Sequence, residues 1–229
     1  MSRARLAADD LLPYLATGGV LEVGVGTGAL AQALRERGRA ISGVDISEPM
    51  LRQARERLGS ESVTRADAVA LPFPADDFAN VVLAHVAHLV DDITEALSEA
   101  ARVVAPGGRV LLLHGHPIGE VDELSEATSS LRPLEQQRTD SPERVRETAE
   151  RVGLLTVSQD RGTAYEHGMT PAELARNIET RQCPYLWDVD AETWTAAVEP
   201  ALEALRALPE QERTRTNRWQ VHRSVFAAP

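Results

Sequence analysis

Between residues 20 and 30 the chain reads Val-Leu-Glu-Val-Gly-Val-Gly-Thr-Gly-Ala-Leu, with glycine at 24, 26 and 28 directly after an apolar run and directly before a helical one. That order predicts a buried strand, a turn suited only to glycine, and a helix N-terminus whose unpaired N–H groups are donors. A polar ligand can then lie against bare backbone, so the chemistry implied is the binding of a nucleotide-type cofactor. Glu22 in this strand and Asp45 at the end of the next are acids at a glycine turn, where a carboxylate more often faces a ligand than a core. Histidine is the usual proton acceptor near neutral pH. His85 and His114 follow the fourth and fifth apolar runs, where ligands of open α/β sheets bind. His116 lies two residues further on, and His88 is expected to turn the chain into the next helix. His114 and His116 could share a strand face and raise a metal reading, but no carboxylate or cysteine set completes it, so no metal is expected.

These groups must be held by a regular scaffold, and the pattern supplies one. An opening helix is predicted over Ala4–Ala16 and strand one over Val20–Val23. Helix A follows from Gly28 to Arg37 and strand two from Ala40 to Val44. Ser47 caps helix B, with Pro49 in its first turn; Met50, Leu51, Ala54 and Leu58 line one face, and Gly59 stops it. Strand three is Ser62–Arg65. Strand four, Ala79–Ala84, is nearly all apolar, as a strand covered on both faces should be. A helix capped by Asp91-Asp92 runs from Ile93 to Val104, and strand five covers Arg109–Leu113. A short helix over Val121–Leu131, a helix capped by Ser141-Pro142 and ending at Gly153, and strand six over Leu154–Ser158 come next. Helices over Pro171–Arg181 and Ala191–Leu208, joined by Cys183-Pro-Tyr-Leu-Trp-Asp, precede a last strand over Trp219–Phe226. Alternating strands and helices predict a mainly parallel sheet with helices on both faces.

The glycine turn alone fits two cofactors. Gly24-Val-Gly26-Thr-Gly28-Ala29 satisfies the dinucleotide fingerprint, with Ala29 in its last position. It also resembles the G-x-G-x-G turn of class I S-adenosylmethionine (SAM)-dependent methyltransferases, and further segments carry that resemblance in order: Glu22, then Gly-Val-Asp45-Ile-Ser, Asp67-Ala68 with Leu71-Pro-Phe-Pro, His88-Leu-Val-Asp91, and Arg102-Val-Val-Ala-Pro-Gly-Gly-Arg109. It spans about residues 18 to 114 and is similar to the small-molecule, type 11-like branch of that family. Asp45 suits an NAD ribose equally; the segments around Asp67 and Pro106 are what discriminate.

The resemblance implies a Rossmann-like α/β fold with a seven-stranded, mainly parallel sheet, and a helical cap inserted between strands six and seven, about 163–215, in a single domain over 1–229. It implies SAM as cofactor and S-adenosylhomocysteine as product. The cofactor would be held by Glu22, Gly24, Val25, Gly26, Gly28, Asp45, Ile46, Met50, Asp67, Ala68 and Ala84. Glu22 would organise the loop and the methionine ammonium, Asp45 would accept from both ribose hydroxyls, and Asp67 would read the adenine amino group. His85 and His114 are the candidate bases, and Tyr185, Leu186 and Trp187 either close over the acceptor or glue the cap in place.

Composition bounds the partners. The 24 basic against 35 acidic residues give a formal charge of −11, which argues against nucleic acid as the main partner. Arg213, Arg215, Arg218 and Arg223 could still form a local basic patch, although a solvated face is the commoner outcome. No apolar run approaches the roughly 20 residues of a membrane helix, and the N-terminus lacks a signal-like apolar stretch. The single cysteine, Cys183, rules out an internal disulfide and fits a reducing cytoplasm. The expected activity is methyl transfer to an oxygen or nitrogen of a small molecule. The alternative is a SAM-fold protein that binds the cofactor without transferring methyl, since binding and chemistry are separable.

Overall fold

In the computed structural model the described residues are 2–90, 92–118, 121–136 and 140–229. In chain order the elements are α1 (Arg3–Leu11), β1 (Val20–Val23), α2 (Ala29–Arg35), β2 (Ile41–Asp45), α3 (Glu48–Leu58), β3 (Val63–Arg65), β4 (Phe78–Ala84), α4 (Ile93–Val103) and β5 (Val104–Ile118). There follow α5 (Glu123–Ala127), α6 (Arg132–Gln136), α7 (Pro142–Arg151), β6 (Leu155–Arg161), β7 (Tyr165–Met169), α8 (Pro171–Glu179), α9 (Ala191–Thr193), α10 (Glu199–Ala207) and β8 (Arg215–Ala227). The sheet order is β3-β2-β1-β4-β5-β8-β6, with β7 paired to β8 off that path. Strands β1 to β5 pair in parallel, whereas β8 is antiparallel to β6 and β7.

The chain divides into two compact units. The first comprises residues 1–115, 139–163 and 221–229. Alternate residues of its central strands go to opposite faces. Val81, Leu83, Val110 and Leu112 join Leu97 and Val103 of α4 and Val145 of α7 in one core cluster. Val82, Leu111 and Leu113 join Leu11 of α1, Leu30 and Leu34 of α2 and Leu51 of α3 in the other. This two-sided burial explains why β4 reads as a continuous apolar run. Helix α4 buries Ile93, Ala96, Leu97, Ala100 and Val103, and Asp92 caps it by accepting from Thr94 N at 2.7 Å. Asp91 lies outside the described residues.

The second unit, residues 116–138 and 164–220, has its own core of Leu124, Leu131, Ile178, Leu186, Val198 and Leu205. It holds the helices of the expected cap, but it also takes in the segment after β5. It contains β7 too, so the described residues form eight strands where seven were expected. From Ala191 to Ala207 the helix is continuous through a π turn, with Glu199 N bonded to Trp194 O. Pro200 follows at once and has no N–H to continue the regular ladder, which accounts for the wide turn.

One boundary moved for a clear reason. The Pro106-Gly107-Gly108 segment does not separate α4 from β5; the strand already starts at Val104, paired with Phe78, and a register shift follows. Gly107 N donates to Ala228 O and Ala228 N to Gly108 O, both at 3.1 Å, so the chain's last residues pair with this segment.

Candidate functional site

The turn after β1 is built from backbone constraints. Gly24 has φ +71°, and a Cβ there would lie 2.1 Å from Val86 Cγ2, so both conformation and space demand glycine. Gly26 has φ +54° with nothing within 4 Å of an added Cβ, so its backbone borders open space. Val25 N donates to Val44 O and Gly28 N to Val25 O, which closes the turn onto β2.

Asp45, the last residue of β2, clamps that turn. Its Oδ2 accepts from Gly26 N and its Oδ1 from Ser47 N, each at 2.8 Å, so one carboxylate ties the glycine loop to the head of α3. Its backbone oxygen accepts from Ala66 N at 3.1 Å, which brings in the end of β3. Asp67 is exposed in the turn that follows; its Oδ1 accepts from Val69 N at 3.2 Å, and Ala68 packs on the core. Arg102 holds the next stretch by donating to Phe73 O and Leu71 O, while its partner Glu99 accepts from Leu71 N. The arginine of the Arg102-Val-Val-Ala-Pro-Gly-Gly segment thus fixes a loop some thirty residues earlier. Ile46 is 60% and Met50 42% exposed. Met50 therefore lies at the surface of helix α3, whose buried face is Leu51, Ala54 and Leu58.

Glu22 is the unusual group. It is only 3% exposed, and its Oε2 has no hydrogen-bond partner among the described residues. Burial pushes its carboxyl up to about 8; the backbone N–H of Ala31 opposes the shift and the nearby Asp45 charge adds to it. A buried polar oxygen without a donor is costly and calls for one.

The two histidines differ sharply. Leu83 pairs with Val23 and Ala84 with Leu113, so His85 emerges beside the glycine turn. It has φ +58°, an uncommon conformation for histidine, its N donates to Leu113 O at 2.7 Å, and its Nε2 lies 3.3 Å from Arg3 Nη2. His114 is 0% exposed. Its Nδ1 is 2.9 Å from Asp140 O and its Nε2 2.7 Å from Ser224 Oγ, while Gln159 Nε2 donates to Ser224 Oγ and to Pro142 O. A carbonyl can only accept, so Nδ1 carries the proton and Ser224 donates to Nε2. The ring ties β5, β6 and β8 to the corner before α7. The expectation that His114 serves as a base is corrected on that ground: a group that abstracts a proton must reach it. His88 lies in the turn after β4 with its Nδ1 3.6 Å from Asp140 Oδ2, beyond hydrogen-bond distance. The side chain of His116 lies outside the described residues.

In the second unit Leu186 is buried and Tyr185 packs against the core, whereas Trp187 is exposed and donates to Arg181 O at 3.0 Å. The C-terminal arginines are largely consumed by acids: Arg215 pairs with Glu123 at 2.6 Å, Arg223 with Asp160 at 2.8 Å and Arg213 with Glu210 at 3.2 Å. The structure thus brings the predicted binding residues together at the carboxyl ends of β1, β2 and β3, with His85 after β4. Sequence reasoning missed Arg3 and the roles of Arg102 and Ser224, which act through contacts with no local pattern to announce them.

Residues 21–112 match the family described as methyltransferase domain. A demethylmenaquinone methyltransferase from Thermus thermophilus is 39% identical over 121 residues, covering 50% of this chain and 55% of the relative. The chain spans about half the length of the curated relatives it matches. Among solved structures, the YcgJ protein of Bacillus subtilis has a TM-score of 0.62 at 20% identity, with 100% of both chains covered. A phosphoethanolamine N-methyltransferase from Haemonchus contortus, solved with phosphomonomethylethanolamine and S-adenosylhomocysteine, has a TM-score of 0.55 at 24% identity; 98% of this chain and 52% of that one are covered. Both structures show likeness of fold.

Proposed function

We propose that residues 21–112, which match the methyltransferase domain family, form a class I SAM-dependent methyltransferase domain and that the protein moves a methyl group from SAM to an oxygen or nitrogen of a small molecule. The observation that carries this reading is the buried carboxyl of Glu22, with an oxygen left without a donor beneath the glycine turn. The ammonium of SAM's methionine moiety is such a donor. A dinucleotide would instead bring pyrophosphate charges toward Glu22 and Asp45, where the Asp45 charge already adds to the raised proton affinity of the buried Glu22.

When bound, SAM supplies an electrophilic methyl group on a sulfonium. The chain's own residues then position and deprotonate. Gly26 would leave bare backbone to the ligand, with Gly24, Val25 and Gly28 holding the course of the turn around it; Asp45 would accept from ribose hydroxyls with lone pairs not used by Gly26 and Ser47, and Asp67 with Ala68 would face the adenine amino group. Ile46, Met50 and Ala84 supply apolar contact. His85 takes the proton of the acceptor, since it stands at the carboxyl end of a central strand. The acidic surface and the pairing of the C-terminal arginines with carboxylates support a small-molecule acceptor over nucleic acid. The single thiol keeps a cytoplasmic setting within this reading.

Calorimetric titration with SAM, S-adenosylhomocysteine and NADH tests the cofactor. Binding of the first two is expected, and binding of NADH alone refutes the reading. Incubation with methyl-labelled SAM and a metabolite extract then separates transfer from mere binding: label on a small molecule is expected, and its persistent absence favours a protein that holds the cofactor without using it.

A further inference from the structure

The segment 66–77 between β3 and β4 carries Asp67 and Ala68 and has little means of holding its own shape. Within Leu71-Pro72-Phe73-Pro74 the two prolines have no backbone N–H, so the stretch cannot close on itself through regular turn bonds. Helix α4 supplies the missing partners. Glu99 Oε2 accepts from Leu71 N at 2.8 Å. Arg102 donates through Nη2 to Leu71 O at 3.0 Å and through Nη1 to Phe73 O at 2.8 Å, and its backbone oxygen accepts from Asp76 N at 3.1 Å. The two side chains also hold one another as a fork, with Arg102 Nε donating to Glu99 Oε1 at 2.7 Å and Nη2 to Oε2 at 2.8 Å. That hydrogen bonding holds the Glu99 carboxyl below its ordinary range and the guanidinium above its own, so both stay charged.

Helix stability does not explain the arrangement. An i, i+3 ion pair adds little to a helix, and α4 already has Asp92 at its start and a buried face. What the pair adds is a fixed loop. Leu71 is 5% exposed and lies in the core, with Phe73 packed against that core and edge-on to Phe78 at 5.0 Å. From Leu71 the constraint passes back along the chain. Ala70 N donates to Asp67 O at 3.1 Å and Val69 N to Asp67 Oδ1 at 3.2 Å, so Asp67 sits in a tight turn whose far end is the pinned Leu71. The near end is fixed by Ala66 N on Asp45 O at 3.1 Å. An exposed carboxylate is thereby held from both sides of its turn.

We propose that Glu99 and Arg102 are positioning residues for the nucleoside end of the cofactor site. By fixing Leu71 and Phe73 they set where the Asp67 carboxylate stands, and through it how sharply the site tells a 6-amino purine from a 6-oxo purine. This rests on the methyltransferase reading above, in which Asp67 accepts from the adenine amino group. A carboxylate only accepts, so a 6-oxo group in that place sets one lone pair against another. A site built around such a bond rejects the analogue that lacks the donor, provided that the acceptor is held in place. Glu99 and Arg102 act from 28 and 31 residues beyond Leu71, through the loop alone.

Calorimetric titration with S-adenosylhomocysteine and with S-inosylhomocysteine tests this, and the ratio of the two dissociation constants is the readout. The wild type is expected to favour the adenosyl ligand by about tenfold or more. Glu99→Gln sets an amide donor in the fork, and Arg102→Lys keeps the charge but loses the planar geometry. In each the ratio is expected to fall at least about threefold. A purely structural role weakens both ligands alike and leaves the ratio in place, and that result overturns the proposal. Circular dichroism of the same samples gives the folded fraction; where Glu99→Gln does not fold, Arg102→Lys decides. Asp67→Ala separates the proposal from its premise. Loss of the preference in Asp67→Ala, with none in the other two variants, overturns the positioning role alone. A wild type without preference, or a preference that Asp67→Ala leaves intact, overturns the adenine contact and the positioning role with it. Failure to bind either ligand brings down the methyltransferase reading as well.

Discussion

Replacing Glu22 by glutamine removes one ionisable group from the interior while keeping its shape and the oxygen that accepts from Ala31. In the free protein burial, reinforced by the Asp45 charge, lifts this carboxyl from 4.5 to about 8. A raised acid pKa means that the folded state holds the proton more tightly than the unfolded state does. The stability contributed is therefore complete below about pH 4.5 and is lost as the pH rises toward 8. At about 1.4 kcal/mol per unit, the whole shift corresponds to about 5 kcal/mol. Glutamine does not titrate, so the stability of Glu22→Gln relative to wild type should climb by about 3 kcal/mol between roughly pH 5 and pH 7. Urea denaturation followed by far-ultraviolet circular dichroism at several pH values measures that difference, and other titrating groups cancel in the comparison. A difference that stays flat within about 0.5 kcal/mol across the window would refute the claim that Glu22 is protonated in the free protein. A second arm uses the ligand. An ammonium beside Glu22 favours the carboxylate, so S-adenosylhomocysteine binding near neutral pH should release close to one proton from wild type and none from the glutamine variant. Calorimetry in two buffers of different ionisation enthalpy reads this directly.

Gly24→Ala combines a positive φ with a 2.1 Å approach to Val86 Cγ2, and should cost about 2–4 kcal/mol in urea denaturation. Asp45→Ala leaves Gly26 N and Ser47 N without their acceptor; S-adenosylhomocysteine binding should become undetectable by calorimetry, with a stability loss of about 1–3 kcal/mol. His114→Phe strands Ser224 and Asp140 O without the imidazole, and should lower stability by about 2–4 kcal/mol while cofactor affinity in the remaining folded protein changes less than about threefold. A His114→Phe protein that unfolds like the wild type would show that the buried ring is not a tie between strands.

The legible part of this chain lay where local rules suffice. Glycines at positions that need positive φ, an apolar run between turns, Ser141 and Asp92 at helix starts, and an acid ending a strand each report their own backbone surroundings. From them the sheet through β4, the helices between its strands and the grouping of Glu22, Asp45 and Asp67 could be drawn. Where reading failed, the deciding partner was distant in sequence. Strand β7 forms because Tyr165 to Met169 pair with Trp219 to Arg215, and those five residues alone carry too little pattern to outweigh the helices around them. The segment at Pro106 extends β5 because the chain terminus lies beside it.

The two histidines show the same division in chemical terms. Sequence placed both after central strands and made them equal candidates. Tertiary structure separated them: Ser224, 110 residues from His114, closes that ring into a buried hydrogen-bonded chain, while Arg3 meets the other across 82 residues. Conformational demands act on a residue and its neighbours, and so are written in local sequence. A side chain's protonation state depends on burial and on which charges and donors surround it, and only the folded chain fixes those. Sequence alone thus determined the kind of cofactor loop and the scaffold around it. The structure decided that Glu22 is buried with an oxygen lacking a donor among the described residues, that His114 is a buried strut between strands, and that His85 meets Arg3 at the end of β4.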